Sequence, residues 1–153
     1  MTSVHSLFAN AERLELLAAE MYRLLAERFA AREPVRELFA RLGAEEIQHA
    51  SRVRLLAAQY RNDPWLFGGA VLFEGTPDPA AMLRDLEGDV RALEAGAWGN
   101  DLSQVRGRIL EHERRCVSFH TQFMVAGAPP AIASFFEELA RQDEEHERLL
   151  GQL

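Results

Sequence analysis

Apolar residues recur every three to four positions from about Ser3 to Ala31, at Leu7, Phe8, Ala11, Leu14, Ala18, Tyr22, Leu25 and Phe29. That spacing marks one face of a helix. Pro34 suits the first turn of a second helix, and Leu38, Leu42, Val53, Leu56 and Tyr60 continue the period until Asp63-Pro64 stops it. A third long helix is predicted from Asp101, which with Gln104 resembles a capping box, through Leu102, Val105, Ile109, Val117 and Met124 to Gly127. Pro129-Pro130 opens a fourth, whose stripe is Ile132, Phe136, Leu139, Leu150 and Leu153. Short links join helix one to two and three to four, so each pair is expected to be an antiparallel hairpin.

Between the hairpins, from about Asn62 to Asn100, the pattern is broken by Pro64, Gly68-Gly69, Gly75, Pro77, Pro79, Gly88, Gly96 and Gly99 around one helical piece, Asp78 to about Glu94. A structureless connection of nearly forty residues is too long for a compact domain. Trp65, Phe67, Phe73 and Met82 are therefore expected to pack on the bundle. The apolar run Gly69 to Phe73 is too isolated to support a sheet. The two halves also repeat one another. A shift of 97 residues places Phe39 on Phe136, Leu42 on Leu139, Glu46 on Asp143 and His49 on His146, and a shift of 98 places Glu15 on Glu113. The pattern predicts an all-α protein: a four-helix bundle of two antiparallel hairpins joined by a long crossover, residues 62 to 100, with approximate internal two-fold symmetry.

Composition narrows the function. The 153 residues make one domain, 1 to 153, and a net charge of -7, with arginine as every basic residue, excludes a generic basic surface for nucleic acid or anionic lipid. The single cysteine, Cys116, can form neither an internal disulfide nor a Cys-x-x-Cys metal site. Neither a membrane-spanning run nor a signal peptide is read at sequence level, so a cytoplasmic protein with no membrane partner is expected.

The chemistry lies where the stripes are interrupted. Glu46 and His49 are three residues apart on one helix face, between Leu42 and Val53; Asp143 and His146 repeat this between Leu139 and Leu150. Glu15 interrupts helix one between Ala11 and Tyr22, and Glu113 interrupts helix three between Ile109 and Val117. Spacing alone is a weak motif, but register turns all six residues inward. Burying four unpaired carboxylates costs several kcal/mol each, so they require protonation or a compensating positive charge. Two divalent cations supply it. Oxygen donors with one imidazole per metal suit iron, or manganese, better than a thiolate-loving metal. Elsewhere His5 and His112 read as surface residues, Cys116 as a small buried hydrophobe, and Glu45, Glu111, Glu144 and Glu145 as solvated carboxylates. Arg52, Arg54, Arg114 and Arg115 read as surface charge or dimer contacts.

These residues resemble the ferritin-like di-iron carboxylate superfamily, whose pattern is one Glu from each of two helices and a Glu-x-x-His from each of the other two. The closer likeness is to the rubrerythrin diiron domain, in which a Tyr follows the first-helix Glu by seven residues, as Tyr22 follows Glu15. The resemblance covers the four helices but not the crossover. It implies Glu15, Glu46 and His49 around one iron and Glu113, Asp143 and His146 around the other, with Glu46 and Asp143 as candidate bridges. It further implies a non-haem oxidoreductase acting on peroxide or dioxygen, and a homodimer; Tyr22 and His120 are the catalytic candidates, with the alternatives that Tyr22 is a core tyrosine whose hydroxyl touches a carboxylate and His120 a core histidine that hydrogen-bonds a ligand. The alternatives are an iron-handling protein without efficient turnover, or a structural bundle that has lost its metal. Three departures stand out. Asp143 replaces a Glu and is one methylene shorter, which makes its half of the site the weaker one. His120 stands seven residues after Glu113, where the repeat asks for a Tyr. No rubredoxin-like segment is present, so electrons must come from an external donor protein.

Overall fold

The computed structural model describes residues 4–67, 79–125 and 129–153, and among these there are helices and no strands. The four long helices fall where the periodicity places them: α1 Val4–Arg28, α2 Glu33–Asn62, α4 Leu102–Val125 and α5 Pro130–Leu150, with α3, Pro79–Glu94, in the crossover. The proline signals act as expected, since Pro34 sits in the first turn of α2 and Pro130 starts α5 behind an N-cap at Pro129. Asp101 caps α4 by accepting a hydrogen bond from the backbone N–H of Ser103 at 2.9 Å. No helix among the described residues is long and apolar enough to cross a membrane.

Side-chain pairs fix the directions of the helices. Phe29 meets Phe39, Gly43 abuts Tyr22, Glu15 faces His49 and Phe8 meets Tyr60, so residue numbers rise on α2 as they fall on α1 and the hairpin is antiparallel. Arg114 with Glu147 and His120 with Asp143 and Phe136 give α4 and α5 the same relation. Across the hairpins, Tyr22 reaches Glu113 and Glu15 reaches His120, while Glu45 meets His146 and Arg52 meets Glu138. The neighbours α1 and α4 are therefore antiparallel, as are α2 and α5. It follows that α2 and α4 run parallel, which is why a long crossover must join them. Glycine matters at one packing point: a Cβ at Gly43 would lie 3.3 Å from Tyr22 Cβ, so its absence lets α1 and α2 approach one turn before Glu46.

The structure departs from expectation at two places, one in the crossover and one beside it on α4. The crossover helix α3 packs on α1 through Leu86, Val90 and Leu93, with Met82 partly buried as foreseen. It ends in a Schellman turn in which Gly96, at φ +76°, allows Ala97 N–H to bond Ala92 O at 2.9 Å. Arg28 ties this turn to the end of α1, donating to Leu93 O at 3.1 Å and Gly99 O at 3.2 Å, and Trp98 is buried beside it. Trp65, expected to pack on the bundle, is instead 82% exposed. It lies in a 3-10 turn, Pro64–Phe67, whose backbone is held by Asp63 Oδ1 accepting from Trp65 N–H, and its indole stands out from that turn. The second correction is His112, read as a surface residue but buried. It faces Asp85 and Asp89 of α3 across a cavity of about 330 Å³, so the crossover helix covers a side of α4 that a four-helix wheel leaves open. The side chains of Phe67, Phe73 and Met124, the run Gly69 to Phe73 and the closing Gly127 lie outside the described residues.

Candidate metal centre

Each long helix carries its stripe-breaking acid to the same level of the bundle, and all of them are buried: Glu15, Glu46, His49, Glu113, His120, Asp143 and His146 are each 3% exposed or less. Their donor atoms form two overlapping groups. Glu15, Glu46 and His49 make the first; Glu46, Glu113, Asp143 and His146 make the second; within each group one donor atom per residue lies within 4.8 Å of the others. Glu46 stands between them. Its Oε2 is 3.1 Å from His49 Nδ1, and its Oε1 is 3.0 Å from His146 Nδ1. Asp143 belongs to the second group, and its Oδ2 accepts from His120 Nδ1 at 2.5 Å. His120 Nε2 in turn lies 3.1 Å from Glu15 Oε1. Tyr22 donates its hydroxyl proton to Glu113 Oε1. Thus Tyr22 and His120 both touch carboxylates of the cluster, Tyr22 from α1 and His120 from α4.

The electrostatics are those of charges forced together without water. Burial pushes Glu46 up to about 8, with the charges of Glu15 and Glu113 adding to it against the pull of both histidines. Burial also raises Asp143 to about 6, opposed by His120. At Glu15 burial acts upward too, but contacts with His120 and His49 outweigh it and hold the carboxyl well below its ordinary value. Burial alone would lower the histidines. The surrounding carboxylates win, so His49 and His120 rise to about 10 and His146 to about 11. Tyr22 is pushed far up by burial and by Glu113, so it stays a proton donor.

Four buried polar atoms of the cluster, Glu15 Oε1, Glu113 Oε2, His120 Nε2 and His146 Nδ1, make no well-directed hydrogen bond, although His120 Nε2 and Glu15 Oε1 lie 3.1 Å apart and His146 Nδ1 lies 3.0 Å from Glu46 Oε1. Orphaned buried donors and acceptors each cost about 1 to 3 kcal/mol. Their concentration at one place, close together but poorly directed for hydrogen bonding, is what a ligand cage for a cation produces. Oxygen-rich donors with one imidazole in each group suit a hard or borderline divalent metal.

One neighbour was misread from sequence. Glu45, taken as a solvated carboxylate, is half-buried, and its Oε2 accepts from His146 Nε2 at 2.8 Å. A pattern of apolar positions cannot see it, since it lies off the stripe. Its signal is its place directly before Glu46, where the side chain leans towards α5. Glu111, Glu144 and Glu145 are exposed as expected, and Cys116 is buried, with Sγ 3.5 Å from His112 Nε2. The arginines form exposed ion pairs, Arg52 with Glu138, Arg54 with Glu12, Arg114 with Glu147 and Arg115 with Glu111. Comparison of the chain with protein-family models, with curated proteins and with solved structures found no match.

Proposed function

We propose that this chain is a ferritin-like, rubrerythrin-related protein with a carboxylate-bridged dinuclear iron centre that reduces peroxide. The observation that carries the reading is the sharing of Glu46 by two donor groups from four helices, lined by buried atoms without well-directed hydrogen bonds. Parallel α2 and α4 joined by a long crossover support the ferritin-like topology. Glu15, Glu46 and His49 would hold one ion and Glu46, Glu113, Asp143 and His146 the other; manganese is the alternative metal. When bound there, two ferrous ions would supply the two electrons that, with two protons, convert one hydrogen peroxide to two waters. The chain's own groups do the rest. Tyr22 keeps a proton on its phenol and offers it to Glu113. His120 spans Asp143 and Glu15, and the buried Leu14, Leu42, Ile109 and Leu139 of the neighbouring turns keep the cluster in an apolar surround. Re-reduction draws on an external electron-donor protein, and the assembly is a homodimer in the cytoplasm.

Anaerobic titration with ferrous ion is expected to give about two irons per chain, as two donor groups require. The reduced, loaded protein should be oxidised faster by hydrogen peroxide than by dioxygen, followed in a stopped-flow absorbance trace. One iron or none at saturation defeats the dinuclear reading, and slower oxidation by peroxide shifts the function to oxygen-dependent iron handling. Register is tested on α4. Residues 111 and 113 are about 200° apart on a helix; Glu113 is buried, while Glu111 is exposed and paired to Arg115 at 2.7 Å. Glu113→Gln should weaken iron binding and Glu111→Gln should leave it unchanged, and the reverse result would put the wrong face of α4 in the site.

A further inference from the structure

We propose that the two halves of this centre bind metal unequally because of the residues behind their histidines, Glu45 behind His146 and Gln142 beside His49, and that the His49 half is the weaker one. The inference rests on the dinuclear reading above. His146 is gripped from behind: its Nε2 donates to Glu45 Oε2 at 2.8 Å, and Glu45 is itself anchored by Arg41 Nε, 2.8 Å from Oε1. That bond keeps a proton on Nε2 and leaves Nδ1 facing Glu46 Oε1, 3.0 Å away, and Glu113 Oε1, 3.5 Å away, with no well-directed hydrogen bond of its own. A carboxylate placed so behind an imidazole fixes its tautomer and ring orientation and makes it a stronger metal donor.

The internal repeat shows what the other half lacks. The shift of 97 that sets Glu46 on Asp143 and His49 on His146 also sets Glu45 on Gln142, so an amide takes the place of the carboxylate. Gln142 and His49 border one polar cavity of about 280 Å³ between α2 and α5, with Glu45, Gln48 and Arg52 around it. His49 turns Nδ1 to Glu46 and Glu15, at 3.1 and 3.7 Å, and also borders the cavity; the Gln142 amide donates to Glu138 Oε1 at 3.5 Å, and Glu45 bonds His146. Donor number acts in the same direction: the His146 half gathers four residues and the His49 half three. Both differences oppose the expectation from the shorter Asp143 stem. The cavity borders His49 itself, whereas Glu45 stands between it and His146.

The test is anaerobic calorimetric titration of the full-length apoprotein with ferrous ion, in the unmodified protein, Glu45→Gln, Gln142→Glu, the double swap and His49→Ala. Glu and Gln have nearly the same shape, and the apo melting temperature of each variant records that the fold is kept. Glu45→Gln should weaken the tighter step by about 10- to 100-fold and leave the weaker unchanged; Gln142→Glu should tighten the weaker step by a similar factor. The double swap should exchange the order of the halves, so that His49→Ala, which removes only the weaker step from the unmodified protein, removes the tighter step in the swapped background. Two steps that do not respond to either exchange, or loss of the tighter step in His49→Ala alone, overturn the inference while the dinuclear reading stands. Absence of two binding steps in the unmodified protein overturns the dinuclear reading itself.

Discussion

Glu46→Gln is expected to abolish both iron-binding steps, each weakened by more than about 100-fold, while the apoprotein keeps its fold. The size of the effect follows from position, since Glu46 alone contributes to both donor groups and lies within about 3 Å of both histidines. An amide has no charge and one donor oxygen in place of two, so neither ion keeps its bridge; loss of a mere outer partner already costs about 10- to 100-fold in affinity. The apoprotein should tolerate the change because burial, with Glu15 and Glu113 nearby, raises Glu46 to about 8. Burial thus disfavours the charge on the native side chain, and the amide keeps its shape without that charge. Calorimetric titration and a thermal melt of the same sample measure the two quantities separately. Survival of either binding step would remove Glu46 from the role of bridge.

The second large effect belongs to the core. Phe136→Ala should destabilise the protein by about 3 to 5 kcal/mol, the usual range for emptying a buried aromatic site. Phe136 is fully buried, with its ring 6.4 Å from Phe8, 5.8 Å from His120 and 5.3 Å from Phe135, centroid to centroid. Its loss opens a void beside His120 and so loosens the group that holds Asp143. For a chain of this length the melting temperature should fall by roughly 6 to 20 °C. Trp65→Ala is the matched control: with the indole 82% exposed, the change should stay within about 0.5 kcal/mol. A loss at Phe136 below about 1 kcal/mol would mean that the hairpins close over the void far better than packed cores usually do.

The helices were readable because each long one buries a regular stripe, and because prolines start α2 and α5 and Asp101 caps α4. The cluster was readable for a related reason. An acid that breaks an apolar stripe must be inside, and four such breaks at matched depth leave few other places for Glu15, Glu46, Glu113 and Asp143 to meet. What escaped the sequence depends on neighbours that periodicity does not encode. His112 is buried by α3, whose docking on the bundle has no signature in the stripe of α4. Glu45 finds His146 across 101 positions, through the spacing of α2 and α5 rather than through any local pattern. Trp65 has the composition of a core residue but sits in a turn that holds it outside, where backbone geometry overrides side-chain preference. Trp98 is the converse, buried because Gly96 and Arg28 fold the end of the crossover back onto the bundle.

The way the two donor groups are divided between the hairpins bears on how the protein assembles. Glu15, Glu46 and His49 all belong to α1 and α2, so that group is complete as soon as one hairpin has closed, a local event with little chain to bring together. Glu113, Asp143 and His146 come from the other hairpin and meet Glu46 only when the two dock. An ion held by the second group would be a rivet across the seam between the two hairpins, and its binding energy would oppose their parting rather than the unravelling of either one. Metal supply would then govern how often the halves of the bundle part, a property of the whole molecule set by one glutamate shared across its midline.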